Sequence, residues 1–140
     1  MIASLIYILT SWGWKKIDEL TSHDSLFNPD GKVRKIVDFE KRNLSHSENC
    51  FDVVLINEDG LSRSVFKVSS DQRFVLSDMC KVQAKDLKKG DQLFQCKMSK
   101  EKWFVSSITE STTLVWYRLI SEKHFFLING CYAILGDDSE

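Results

Sequence analysis

Short runs of apolar, β-branched and aromatic residues alternate with polar, turn-forming segments along the chain. Runs of this composition predict β-strands, because branched and aromatic side chains pack well on a pleated, half-buried surface. The predicted strands cover residues 7–10, 33–39, 51–56, 64–68, 73–76, 92–96, 103–108, 113–120 and 125–127. They are separated by sequences typical of tight turns, including Asn28-Pro29-Asp30-Gly31, Asn57-Glu58-Asp59-Gly60, Lys89-Gly90-Asp91 and Asn129-Gly130.

Helical periodicity is nearly absent from the sequence. Only residues 15–20 and 84–88 are predicted to form short helical turns, and no apolar run with helical spacing reaches ten residues. The fold class is therefore all-β, with many short strands. The apolar start, residues 2–9, is predicted to be a buried strand. It lacks the basic flank of a signal peptide and is far shorter than the roughly 20 residues that span a membrane.

The chain also carries an internal repeat. When the sequence is shifted by 67 positions, Ile8-Leu9-Thr10 falls on Val75-Leu76-Ser77, and Leu20 and Asp24 fall on Leu87 and Asp91. Two copies are too few for a solenoid, which needs at least about three repeats to bury a continuous core. The sequence therefore predicts one domain, residues 1–140, built from related halves at about 5–70 and 71–140 around a shared core.

Composition narrows the class of protein. A chain of 140 residues is long enough for one domain with its own core. Its 19 basic and 20 acidic residues leave a net charge of −1, which argues against a dedicated nucleic-acid binder. The four cysteines lack metal-binding C-x-x-C spacing, so a zinc site would need long-range convergence with the three histidines. Neither metal nor cofactor is expected, and a reducing compartment fits best, although the even cysteine count leaves disulfides open.

Four segments carry a resemblance to a known family. They are Ile8-Leu9-Thr10 and the residues that follow to Leu20, residues 68–76, residues 82–93 with the sequence Asp86-Leu87-Lys88-Lys89-Gly90-Asp91, and residues 117–130. In this order they resemble the conserved blocks of Hint domains, the fold shared by inteins, bacterial intein-like domains and the autoprocessing domain of Hedgehog proteins. The resemblance covers nearly the whole chain and implies a flat horseshoe of antiparallel strands with pseudo-twofold symmetry.

The resemblance also implies a specific chemistry. An intein begins with a Cys or Ser that attacks the carbonyl group before it, and a Thr-x-x-His element polarises that scissile amide. On this sequence the first position falls on Met1 or its immediate neighbour, and Met has no ionisable proton. The Thr-x-x-His element reads Ser69-Ser70-Asp71-Gln72, so Ser69 keeps a hydroxyl while Gln72 cannot transfer a proton as His does.

This sequence also departs from the family pattern at its closing end. An intein ends in His-Asn, whose Asn cyclises, and the next residue is a second nucleophile. These positions fall here on Ile134-Leu135 and Gly136, while His124 matches a histidine of the closing block. His124 is interpreted as a structural histidine at a strand start, with a catalytic base as the alternative. Cys131 follows a hairpin sequence and could serve as a displaced nucleophile.

These departures favour a catalytically degenerate Hint domain that acts as a structural or protein-interaction module. The alternative is an autoprocessing domain that cleaves or splices peptide bonds, with its first nucleophile replaced or supplied by Cys131. Trp12 and Trp14, which flank Gly13 in a predicted loop, are candidates for contacting an unidentified protein partner, because aromatic residues anchor interfaces. No nucleic-acid or membrane partner is expected. A phage or viral setting and a cytoplasmic or virion-associated location are expected by analogy.

Overall fold

A computed structural model describes residues 1–3, 6–27, 32–94, 101–121, 125–128 and 132–135. The predicted turn at residues 28–31, His124, the Asn129-Gly130 pair, Cys131 and Gly136 lie outside the described residues. The strands in the described part of the chain are β1 Tyr7–Thr10, β2 Gly13–Lys16, β3 Ser25–Phe27, β4 Val33–Asn57, β5 Arg63–Val68, β6 Arg73–Val75, β7 Lys81–Gln83, β8 Trp103–Ser121, β9 Phe125–Ile128 and β10 Tyr132–Leu135. Single 3₁₀ turns at Ile17–Glu19 and Ala84–Asp86 lie where the helical turns are predicted.

The strands form an antiparallel sheet in the order β5-β4-β3-β1-β9-β10-β6-β7, with β2 added beside β1 and β8 added beside β4. The predicted all-β class of antiparallel strands is confirmed. In the part that the structure describes, no helix is long and apolar enough to cross a membrane.

The predicted division of β4 and β8 into separate strands is wrong. β4 runs for 25 residues and β8 for 19, and the two pair along nearly their full length. Residues 41–49 are mostly exposed, so this part of β4 carries no apolar alternation that marks it as a strand in the sequence. Register shifts, the largest between Asn43 and Glu48, interrupt the ladder; such bulges bend and twist a long strand without ending it.

The first hairpin corrects another prediction, since Trp14 lies in β2 rather than in a loop. β1 and β2 pair from Tyr7 opposite Lys16 to Thr10 opposite Gly13. At the turn, the Thr10 hydroxyl donates to the Gly13 carbonyl at 2.7 Å and accepts from the Trp12 amide at 3.1 Å. Gly13 adopts a φ of 106°, a conformation that a side chain would strain. Thr10 and Gly13 together therefore set the hairpin that presents both tryptophans.

Equivalent contacts recur in the two halves at the 67-residue offset. The 3₁₀ turns begin at Ile17 and Ala84, both fully buried. The next turn in each half closes on an aspartate, because the Asp24 carboxylate accepts the Thr21 amide at 2.9 Å and the Asp91 carboxylate accepts the Lys88 amide at 2.8 Å. The buried core draws on both halves and includes Ile8, Leu26, Leu55, Phe66, Phe74, Leu93 and Leu119.

The start of the chain is inserted between β5 and β8. The Ile2 amide donates to the Tyr117 carbonyl at 3.1 Å, and the Tyr117 amide returns a bond to Ile2 at 2.7 Å. On the other side, the Ala3 amide donates to the Lys67 carbonyl at 2.7 Å. Residues 1–3 are thus held by backbone bonds on both sides, and this fixes where residue 1 lies.

Candidate functional site

Ser69, the residue that directly follows β5, forms two hydrogen bonds with Met1, and we call this pair of bonds the Ser69 clamp. The Ser69 amide donates to the Met1 carbonyl at 2.9 Å, and the nitrogen of Met1 donates to the Ser69 hydroxyl at 2.7 Å. Both polar backbone groups of residue 1 therefore bond to one residue, 68 positions away in the sequence. The structure thus brings together the first position and the first residue of the Thr-x-x-His-like element.

Asp71 completes this cluster. The Ser69 hydroxyl donates to the Asp71 carboxylate at 2.6 Å, so amine, hydroxyl and carboxylate form one hydrogen-bonded chain. The pKa of Asp71 is lowered, first by the bond from Ser69 and further by the charges of the Met1 ammonium and Lys85. Asp71 therefore carries a negative charge beside residue 1 at neutral pH.

Sequence reasoning did not single out Asp71, although a signal for it was present. A Ser with an Asp two positions later is a local pattern in which short polar side chains bond within a turn. The family pattern directed attention instead to the positions of Thr and His, at residues 69 and 72.

Gln72 lies on the same turn and is 4% exposed. Its backbone amide donates to the Ser69 carbonyl at 3.1 Å, and its side-chain nitrogen donates to the Arg73 carbonyl at 3.2 Å. Its own carbonyl accepts the Ala84 amide at 2.8 Å, which joins the turn to the second 3₁₀ segment. A Gln amide donates and accepts hydrogen bonds but does not titrate, so this position supplies structure without acid–base chemistry.

The closing strands reach the same region through backbone pairing. β9 pairs with β1 at Ile128 opposite Ile8, and β10 pairs with β6 at Ile134 opposite Phe74. Since β6 begins at the residue after Gln72, the backbone at Ile134 and Leu135 lies along the strand that leaves the Ser69 turn. Ile134 and Leu135, which the sequence predicts at the His-Asn positions, are thus on a strand next to β6.

The cysteines of the described chain are not activated nucleophiles. Burial is the largest influence on Cys50 and raises the pKa of its thiol. The Asp78 carboxylate raises the pKa of the exposed Cys80 thiol. A raised pKa lowers the thiolate fraction, and thiolate is the reactive form. Neither thiol forms a disulfide; Cys50 is buried and Cys80 is exposed. Among the described residues, no group of three or more His, Cys, Asp or Glu side chains is placed to hold a metal ion.

A small cleft opens beside Ser70, the residue after Ser69. It has a volume of about 260 Å³ and is lined by Asn49, Cys50, Phe51, Ser70 and Glu110. Met1 packs against the cluster of Ala3, Cys50 and Trp116, so Cys50 joins this cluster to the cleft. No motif in the sequence indicated the cleft, because its walls come from three segments that pairing brings together.

Trp12 and Trp14 lie on the first hairpin, which β1 and β2 form. Trp12 is 85% exposed at the turn and Trp14 is 43% exposed on β2. Trp14 pairs with Leu9, and the neighbouring Tyr7 is 48% exposed, so the hairpin presents several aromatic side chains to solvent. Trp116, by contrast, is 3% exposed and belongs to the buried core.

Solved structures of inteins share this fold over nearly the whole chain. The MchDnaB-1 intein matches with a TM-score of 0.74 at 16% identity, covering 97% of this chain and 100% of its own. A bacterial intein-like domain from Clostridium thermocellum matches with a TM-score of 0.72 at 18% identity, covering 98% and 99%. A DnaB intein from Synechocystis sp. PCC 6803 matches with a TM-score of 0.69 at 16% identity, covering 98% of each chain.

The chain therefore has the Hint fold of inteins and intein-like domains. No protein-family profile matches it, and no curated protein does. At these identities the likeness establishes the fold alone.

Proposed function

We propose that this domain has an intein-like fold without self-processing activity and serves as a structural or protein-interaction module. The proposal rests on the identity of the residue that Ser69 holds. The nitrogen of residue 1 lies 2.7 Å from the Ser69 hydroxyl, and the side chain at this position is the thioether of Met1. A thioether has no proton to lose, so it cannot attack the carbonyl carbon of a preceding residue.

Two further positions support the same conclusion. Gln72, which the resemblance aligns with the family's histidine, is buried and has a side-chain amide instead of a titrating imidazole. The resemblance aligns the family's His-Asn pair with Ile134 and Leu135, neither of which is a residue type that can cyclise as Asn does. Loss of the nucleophile, the proton-transfer group and the cyclising residue together favours a domain kept for its shape.

We assign the binding of a protein partner to the hairpin surface formed by Trp12 and Trp14. Exposed tryptophans supply a large apolar area with a polar edge, which makes them frequent anchors of interfaces. The balanced charge of the chain gives no reason to propose a nucleic acid or membrane surface instead. We propose a cytoplasmic or virion-associated location and a phage or viral setting, by analogy with degenerate mobile-element domains.

A second candidate, an autoprocessing domain, has one observation in its favour. The Ser69 hydroxyl still contacts the nitrogen of residue 1, the atom that leaves when the preceding peptide bond is cleaved. In this function a nucleophile native to the first position has been replaced, or Cys131 supplies one.

The two candidates separate in a fusion experiment. Reporter proteins are joined to both ends of the chain, and intact masses are measured after incubation with and without a small thiol. We expect an unchanged mass in both conditions. Thiol-dependent fragments from the natural sequence would overturn the proposal.

A matched pair of variants tests whether the chain stays intact because it lacks a nucleophile at residue 1 and an imidazole at residue 72. In Met1→Cys combined with Gln72→His, the Cys thiolate can attack the preceding carbonyl and form a thioester, while the nitrogen of residue 1 takes a proton and leaves. The added thiol then takes over the acyl group and releases the upstream reporter. The control, Met1→Ala with Gln72→His, lacks the attacking sulfur and is expected to stay intact.

A further inference from the structure

One edge of the strand β2 is open to a further strand. Among the described residues, the only strand paired with β2 is β1. The Ile17 amide, directly after β2, donates to the Ile6 carbonyl at 2.9 Å, and this bond fixes which pairs of the ladder are hydrogen-bonded. Bonded and non-bonded pairs alternate in an antiparallel ladder. The backbone groups of Trp14 and Lys16 therefore point away from β1, toward the open edge.

The side chains of the same two residues project from the outer face of the sheet. Trp14 lies opposite Leu9, and Lys16 lies opposite Tyr7, so the four residues share one face. Ile8, between Tyr7 and Leu9, is fully buried and points to the core on the other face. Trp14 is 43% exposed and Lys16 is exposed as well. A strand added at the open edge would therefore meet both side chains.

The charge at this edge comes from Lys16. The neighbouring Lys15 points to the other face, where its ammonium lies 3.0 Å from the Asp24 carboxylate. Lys16 has no ion-pair partner within the part of the chain that the structure describes. Opposite charges and apolar pairs stabilise directly opposed positions of neighbouring strands. The complementary strand thus has an apolar side chain opposite Trp14 and a carboxylate opposite Lys16.

The second half of the chain shows that the fold does not require tryptophan at this edge. At the 67-residue offset, Trp12 and Trp14 fall on Met79 and Lys81, which belong to the hairpin of β6 and β7 and are also exposed. Lysine on an edge strand discourages pairing with other chains, and Lys81 supplies one on β7. A large exposed ring on an edge strand is typical of a binding surface. Trp14 is therefore better explained by binding than by folding.

We propose that an extended acidic segment of a partner protein adds to β2 as an antiparallel strand. Its apolar side chain lies opposite Trp14, and its Glu or Asp lies opposite Lys16. Because antiparallel strands run in opposite directions, the acidic residue stands two positions before the apolar one in the partner. This assignment rests on the partner surface proposed for the hairpin, and it names the chemistry of the segment that binds there.

A second copy of this chain is a poorer occupant of the edge. Two β2 strands that use both outward-pointing residues pair Trp14 of one copy with Lys16 of the other. This register sets Lys15 directly opposite Lys15 of the second copy. Like charges in directly opposed positions are destabilising. An acidic segment from another protein meets no such repulsion.

The test uses two capped synthetic peptides, Ser-Thr-Glu-Thr-Phe-Thr-Ser and the same sequence with Lys in place of Glu. Each is titrated to millimolar concentration, at low ionic strength, into the isotope-labelled full chain, and the amide resonances of Trp14 and Lys16 are followed by NMR. We expect the Glu peptide to bind about fivefold more tightly, although the net charge of −1 acts in the opposite direction. Equal dissociation constants, or no shift of these resonances with either peptide, would overturn the proposal.

A charge reversal and its matched control locate the effect. Lys16→Glu is expected to reverse the preference, so that the Lys peptide binds about fivefold more tightly. Lys89→Glu makes the same change in net charge at an exposed turn of the other half, and the preference for the Glu peptide is expected to persist. A preference that survives in Lys16→Glu, or that reverses in both variants, would contradict pairing with Lys16.

Two further measurements separate this assignment from the partner surface itself. If the two peptides bind equally and Trp14→Ala abolishes the binding, the hairpin is a protein-binding surface but the acidic strand is wrong. A short oligothymidylate serves as a second anionic probe, because aromatic rings and a lysine also suit single-stranded nucleic acid. We expect it to leave the resonances of Trp14 and Lys16 unchanged. If it shifts them at lower concentration than the Glu peptide does, both the acidic strand and the protein partner are overturned.

Discussion

The hydroxyl of Ser69 lies 2.7 Å from the nitrogen of Met1, although the two residues are 68 positions apart. The reverse bond, from the Ser69 amide to the Met1 carbonyl at 2.9 Å, makes the contact two-sided. Both polar backbone groups of residue 1 are therefore held by the residue that follows β5.

The Ser69 clamp is expected to contribute measurable stability. Ser69→Ala leaves the Met1 nitrogen and the Asp71 carboxylate without their shared hydroxyl, and losing hydrogen bonds to charged groups costs about 1–3 kcal/mol. Urea unfolding measures the loss. The control is Ser70→Ala, an exposed neighbour expected to change stability by less than about 0.5 kcal/mol. Equal effects of the two substitutions would show that the hydroxyl of Ser69 has no special part in stability.

Asp71 is expected to make part of the stability depend on pH. Its folded-state pKa is below the ordinary value of 3.8, so the folded state favours the carboxylate. The contribution is present above the ordinary value and is lost as the pH falls through the folded pKa. Compared with Asp71→Asn across pH 2 to 7, the stability advantage of the natural chain should shrink below about pH 4. A constant difference across this range would contradict the expected linkage.

The two aspartates at equivalent repeat positions are expected to differ in importance. Asp24 is buried, accepts the Thr21 amide, and binds Lys15 at 3.0 Å, whereas the Asp91 carboxylate accepts the Lys88 amide in a more open turn. Burial raises the pKa of Asp24, but the bonds from Thr21 and Lys15 outweigh it and lower the pKa overall.

Asp24→Asn removes the charge while keeping the size of the side chain. It is expected to cost about 2–3 kcal/mol because it leaves Lys15 without its partner ion. Asp91→Asn, the matched substitution in the other half, is expected to cost less than about 1 kcal/mol. Thermal unfolding of both variants measures the contrast, and a larger loss for Asp91→Asn would refute it.

Met79 occupies a backbone conformation that glycine would adopt more easily. Its φ is 70°, in the turn between β6 and β7, where the Met79 amide donates to the Leu76 carbonyl at 2.9 Å. Left-handed backbone geometry costs a residue with a side chain about 1–2 kcal/mol. Gly avoids this cost, but the larger backbone entropy that it loses on folding offsets part of the gain. Met79→Gly is therefore expected to stabilise the domain by about 0.5–1 kcal/mol. Met79→Ala keeps the strain and should bring no such gain; the midpoint of urea unfolding distinguishes the two.

Trp12 is expected to be dispensable for folding. At 85% exposure it contributes little burial, so Trp12→Ala should change the free energy of unfolding by less than about 0.5 kcal/mol. Trp116→Ala, which empties a buried site and leaves Glu48 without the indole donor at 3.0 Å, should cost about 3–5 kcal/mol. A large loss in Trp12→Ala would contradict a role for this side chain as a surface available to a partner.

Several features of the domain were determined by the sequence itself. The bounds of β1, Tyr7–Thr10, match the predicted strand, and both 3₁₀ turns lie within the predicted helical turns. These features depend on neighbouring residues, whose apolar spacing and turn chemistry can be seen in a short window. The order of the four family-like segments indicated the Hint fold for the same reason, since each segment is a local pattern.

Tertiary structure alone decided how β4 continues through its polar middle and how Ser69, Asp71 and Met1 meet. The mostly exposed residues 41–49 carry no strand pattern, and pairing of residues 41–43 and 48–49 with β8 continues the ladder on both sides of the register shift. The Met1 site is built from residues far apart in the chain, joined by backbone bonds to β5 and β8, and the small cleft likewise draws its walls from separate segments. A sequence supplies the groups for such a site, but their distances depend on strand pairing across the whole molecule, which no local pattern contains.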